Sequence, residues 1–85
     1  MERVSEAVWI GGDLFRRIGK NLYRNGCWCG SCSKKPKAHT ARYLWHWFRR
    51  NTGVTPTRAQ MLVLLPWPKT IDKLFLKFAA ERLSS

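Results

Sequence analysis

Between residues 3 and 25 apolar side chains recur at the spacing of one helix face: Val4, Ala7, Val8, Gly11, Leu14, Phe15, Ile18 and Leu22. The far side carries Arg16, Lys20 and Arg24 at every fourth residue, with Arg17 beside them. The pattern predicts a basic amphipathic helical region over 1–25. The "GGD" at 11–13 interrupts it, since each glycine costs about 1 kcal/mol inside a helix and Asp13 suits a helix start. The apolar phase nevertheless continues through the glycines. One continuous helix, or a pair with little change in direction, is therefore expected, with Gly11 allowing another helix close approach.

A second helix is expected from about Pro36 to Asn51, with the proline tolerated at its start. Ala38, Ala41, Leu44, Trp45 and Phe48 cluster on one side, and Arg42, Tyr43, His46, Arg49 and Arg50 on the other, with Trp47 beyond them. "NTG" ends this helix through Gly53. Thr55 then caps a third, 56–65, with Pro56 at its first position. That helix is apolar almost all round from Met61 onward, which places it at the centre of a core. Pro66 stops it, and "PWP" makes a stiff corner. A last helix, from about Thr70 to Leu83, buries Ile71, Leu74, Phe75, Phe78 and Ala79 and exposes Lys73, Lys77 and Glu81. No strand is read anywhere. The expected fold is all-α, a small bundle of four or five helices forming a single domain over 1–85. A Cys-rich loop at 26–39 separates the first and second long helices, and 40–85 forms the helical core.

At 85 residues the chain buries a small fraction of its surface, and domains of this size often add a disulfide or a metal. The loop "NGCWCGSCSKKPKAH" offers three cysteines and a histidine. The start, "MERVSEAVWIGG", lacks the basic and apolar segments of a secretory signal. The longest apolar run, "MLVLLPWP", is far short of a membrane span. A cytoplasmic, reducing setting is expected, and an odd cysteine count leaves one thiol over in any disulfide scheme. Cys27 and Cys29 are too close in sequence to bridge well. Cys29 and Cys32 have the redox spacing, but without the strand–helix unit that usually frames it. Thiolates and imidazole are the structural ligands of zinc, so Cys27, Cys29, Cys32 and His39 are read as a Cys3His set holding one structural zinc ion. Reactive or structural thiols, and a disulfide, are the alternatives. His46 lies about 10.5 Å further along the second helix than His39, so it is read as facing phosphate or water.

Charge changes the picture most. From Leu14 to Ile71 there is no carboxylate side chain, while there are twelve lysines and arginines, in a chain of net charge +11. The natural partner of such a surface is a polyanion, and nucleic acid leads. The candidate contacts are Arg16, Arg17, Lys20, Arg24, Lys34, Lys35, Lys37, Arg42, His46, Arg49, Arg50 and Arg58. Five tryptophans are many for this length. Trp28, Tyr43 and Trp47 border basic segments, as base-stacking residues or protein anchors do. Trp9, Trp45 and Trp67 read as core or corner residues.

"RRNTGVTPTRAQMLVLL" resembles the turn of a helix-turn-helix over roughly twenty residues, with a helix, a glycine, an apolar residue and Thr55 opening a second helix. Arg49 departs from the pattern where a small residue would stand. The second helix is polar only at Thr55, Thr57, Arg58 and Gln60. The resemblance implies base reading from that first turn; the plainer reading is a core helix with a polar start.

The function expected is a small zinc-stabilised nucleic-acid-binding protein, DNA or RNA, regulating transcription or another nucleic-acid process. The alternative is a viral or mobile-element adaptor or inhibitor. It would dock on a protein machine such as RNA polymerase through exposed tryptophans and basic patches. Membrane-surface binding by the first helix is weaker, because Trp9 and Ile10 fall on its polar side. An enzyme is not expected, since no carboxylate pair or nucleophile–base pair stands at a useful spacing.

Overall fold

Two dipeptides, Gly11-Gly12 and Asn25-Gly26, decide the first third of the chain. All four residues have positive φ, at 62°, 87°, 51° and 83°. That is the backbone of two-residue hairpin loops, and Asn-Gly is among the strongest hairpin signals. With a third turn at Gly19-Lys20, residues 8–31 fold into four antiparallel strands instead of a helix. They are β1 (Val8–Ile10), β2 (Asp13–Ile18), β3 (Asn21–Arg24) and β4 (Cys27–Ser31), in sheet order β1-β2-β3-β4. Three helices follow, α1 (Ala38–Thr52), α2 (Arg58–Leu64) and α3 (Pro68–Ser84). This computed structural model describes residues 4–84. Arg3, the start of the expected first helix, and Glu2 lie outside the described residues.

The all-α bundle of four or five helices is thus overturned: the protein is α+β, and the region read as a basic amphipathic helix is a sheet. The apparent helical spacing arises because each hairpin turn resets the strand alternation. Within the strands the period is two. Ile10, Phe15, Arg17 and Leu22 are buried, while their neighbours Trp9 and Arg16 are exposed. The pairing fixes this, with Val8 opposite Phe15, Phe15 opposite Arg24, and Arg17 opposite Leu22. Between Leu22 and Tyr23 the register shifts: Leu22 faces Gly30, but Tyr23 faces Trp28. Cys29 is the extra residue of a β-bulge.

The helices cover one face of the sheet. Phe15, fully buried, meets Phe48 of α1 edge-on at 4.8 Å between ring centroids and Trp47 at 5.9 Å. Burying a side chain of this size contributes about 1.5–3 kcal/mol. Met61, Leu64 and Leu65 fill the centre of the core. Ile71 and Leu74 of α3 complete it, and Trp45 stacks on Phe78 at 4.2 Å where α1 meets α3.

The helical half follows expectation in outline and departs in detail. Gly53, at φ 75°, ends α1 and donates its N–H to the carbonyl of Arg49. Ala41, Leu44, Trp45 and Phe48 are buried as predicted, but Ala38 and Ala79 are exposed. Thr57, not Thr55, caps α2. Its hydroxyl accepts from the backbone N–H of Gln60, whose side chain accepts from Thr57 N–H in return. Pro56 is buried ahead of the helix instead of opening it. Among the described residues no helix is long and apolar enough to cross a membrane.

Candidate nucleic-acid interface

The alternation that buries Ile10, Phe15 and Leu22 turns Trp9, Arg16, Tyr23 and Trp28 to the opposite face of the sheet. Arg16 pairs with Tyr23, and Tyr23 with Trp28, so these three form one row across β2, β3 and β4. Side chains directly opposite in an antiparallel pair have Cβ atoms about 4.5–5.5 Å apart, close enough to present a continuous surface. Trp28 is 61% exposed and Trp9 62%. An indole so open to water carries a hydration cost that a partner would relieve. Trp28 is nonetheless held, because its Nε1–H donates to Asn21 Oδ1 at 3.1 Å. Ser31 Oγ–H donates to the same oxygen at 3.4 Å. Arg16, Lys20 in the β2–β3 turn, and Lys34, Lys35 and Lys37 beyond β4 are all exposed.

Other predicted phosphate contacts are engaged within the fold. Arg17 is buried, donating Nε–H to the carbonyl of Leu64 at 2.5 Å and Nη1–H to that of Gly19 at 2.7 Å. Its guanidinium also lies 6.0 Å from the Trp67 ring centroid. Arg24 pairs with Asp13 at 2.5 Å and reaches the carbonyl of Asn51 at 3.2 Å. Hydrogen bonds from the Asn25 amide and then from Arg24 hold the Asp13 carboxyl below its usual range. Arg58 pairs with Asp72 at 2.5 Å, its side chain half exposed. With Thr57 capping, Arg58 paired and Gln60 donating to the carbonyl of Trp9 at 2.8 Å, the polar start of α2 is tied into the fold.

On α1, Arg42, Arg49 and Arg50 are exposed, as is Tyr43 at 57%. Arg49 lies over the Trp45 ring at 4.8 Å. His46 is half-buried, edge-on to Trp45 at 5.0 Å and to Phe78 at 6.1 Å. Trp47 is half-buried against Phe15 and Phe48, so it packs. The structure therefore joins Arg16 to Trp28 through Tyr23, which sequence reasoning passed over together with Asn21 and the exposure of Trp9. The signal that would have found them is Asn25-Gly26 with alternating residues on both sides.

The predicted zinc ligands are spread along two segments. Cys27 is exposed at the start of β4, and Cys29 is half-buried in the bulge with its Sγ–H directed at the carbonyl of Leu22, 3.4 Å away. Cys32 is half-buried beyond the strand, and His39 is exposed in the first turn of α1. Burial pushes both the Cys29 and the Cys32 thiols up, against the opposing pull of Arg24 on the first and Arg17 on the second. Among the described residues no group of three or more His, Cys, Asp or Glu side chains is placed to hold a metal ion. Comparison with protein families, with curated proteins and with solved structures finds no match to this chain.

Proposed function

We propose that this protein binds single-stranded nucleic acid on the outer face of its sheet. The observation that carries the reading is the row of Arg16, Tyr23 and Trp28, with Trp28 exposed yet anchored at its polar edge. Unpaired bases stack on such rings at about 1–3 kcal/mol each, whereas bases inside a duplex have no free face to offer. Arg16 and Lys20, with Lys34, Lys35 and Lys37 at one edge, supply cations for the phosphates.

The test is a titration of the protein with a short unstructured strand and with the same sequence as duplex, at matched salt. The strand should bind more tightly and quench tryptophan emission, and log K should fall with log salt at about −0.7 per phosphate contacted. A duplex that binds more tightly without quenching would move the site to the arginines of α1. The exposure of both Trp9 and Trp28 also favours the adaptor reading, in which these rings anchor a protein partner. Failure of both the strand and the duplex to bind in low salt would select it.

A further inference from the structure

Where the first turns of α1 face the first half of α3, the seam between the two helices opens into a groove of about 400 Å³. Arg42 and His39 form one wall, and Thr70, Lys73 and Lys77 form the other, with the buried Leu74 beneath them. This groove is cut into the helical layer and shares no residue with the exposed sheet face. No carboxylate lines it. The nearest acid in sequence, Asp72, is held by Arg58. Among the described residues none of Arg42, Lys73 and Lys77 is ion-paired.

Lys73 and Lys77 stand one turn apart on the same side of α3, an arrangement of like charges that costs stability unless an anion bridges them. Arg42 opposes them with a planar fork suited to phosphate oxygens. Thr70 adds a hydroxyl. The volume is in the range of small-molecule sites, and the apolar floor suits a flat ring and not a bare inorganic ion. We infer that this groove binds the polyphosphate of a nucleotide, with Arg42, Lys73 and Lys77 on the phosphates and the base over Leu74. Free nucleotides and the 5′-triphosphate end of an RNA strand present the same chemistry. The inference does not rest on the sheet reading.

Calorimetric titration of the full chain with ATP, with pyrophosphate, and with short strands bearing a 5′-triphosphate or a 5′-hydroxyl tests it. ATP should bind saturably with one site per chain, and more tightly than pyrophosphate. Lys73→Ala combined with Lys77→Ala should weaken ATP binding by about tenfold or more, the loss of two charge-assisted contacts. The same variant should bind the 5′-hydroxyl strand as wild type does. Preference for the 5′-triphosphate strand over the 5′-hydroxyl strand would name a strand end as the source. Equal binding of the two strands alongside tight ATP binding would name the free nucleotide. Should the double variant fail to fold, acetylation of the wild-type lysines read by mass spectrometry replaces it, with Lys73 and Lys77 protected at saturating ATP. The inference is overturned if neither ATP nor pyrophosphate binds in low salt, if the folded variant binds ATP like wild type, or if ATP leaves both lysines fully reactive. A 5′-hydroxyl strand that fails to bind would count against the sheet reading and leave the groove untouched.

Discussion

Tyr23 and Trp28 face each other across β3 and β4 because Cys29 bulges out of the pairing beside them. In the register held by Leu22 and Gly30, Trp28 would stand opposite Arg24, on the side of the sheet that Phe15 shares with the helices. One extra residue therefore moves an indole from the core side to the open side. The bulge puts both rings on the open side, Trp28 exposed and Tyr23 half-buried, and tucks a thiol against the core.

Arg16 and Arg17 are neighbours with opposite fates, and their substitutions separate binding from stability. Arg17→Ala leaves the carbonyls of Leu64 and Gly19 without their donor and should cost about 2–4 kcal/mol in urea denaturation. Arg16→Ala should change stability by less than about 0.5 kcal/mol. It should weaken strand binding and flatten the salt slope by about 0.7. Equal stability loss in the two variants would contradict the strand alternation.

Gly11→Ala distinguishes the hairpin from a helix by its sign. At a helix interior the change would stabilise the protein by about 1 kcal/mol. In the turn, φ is +62° and an added Cβ would sit 2.7 Å from Thr52 Cβ, so thermal or urea unfolding should show a loss of about 2–3 kcal/mol. Gly12→Ala, at φ +87° but facing open space, should lose only about 1 kcal/mol.

Asp13 should leave a mark on acid stability. Its carboxyl titrates below the ordinary 3.8 in the folded chain because Asn25 and Arg24 bond its charged form. The stability it contributes is complete above 3.8 and disappears as pH falls through the lowered folded value. Urea midpoints measured across that range should fall with acid more steeply for wild type than for Asp13→Asn. Parallel curves would show that the Asp13–Arg24 pair contributes nothing.

The cysteines give a reactivity order and a metal count. Alkylation followed by mass spectrometry should modify the exposed Cys27 first, with Cys29 and Cys32 slower because burial raises both thiols. The zinc set proposed from the cysteine spacing predicts one equivalent of zinc per chain purified without chelators, with Cys27, Cys29 and Cys32 all protected from alkylation. Metal-free protein with a reactive Cys27 would discard that set.

The helical half of the fold was legible because its signals are local. Gly53 ends α1, and Leu44, Trp45 and Phe48 mark one buried side. The sheet was not read, because three short strands with two-residue turns place apolar residues at intervals that mimic a helix. Gly11-Gly12 and Asn25-Gly26 carried the contrary signal. Of the site, Trp28 as a stacking residue or protein anchor and Arg16 as a surface cation were legible from the sequence, whereas the face Trp28 takes is set by the bulge. Tyr23 was not, because the face of the sheet it takes depends on strand register. Nor was the fate of Arg17, since a buried and an exposed arginine look alike until the carbonyl of Leu64 is brought beside one of them.

Strand affinity of the Tyr23→Ala, Trp28→Ala double variant tests the central claim most directly. Both side chains lie on the open face, so circular dichroism should show the fold unchanged. Losing two stacking platforms worth about 1–3 kcal/mol each should weaken binding of a short unstructured strand by about thirtyfold or more, at a salt slope close to wild type. Wild-type affinity in the folded double variant would contradict single-strand binding on the sheet.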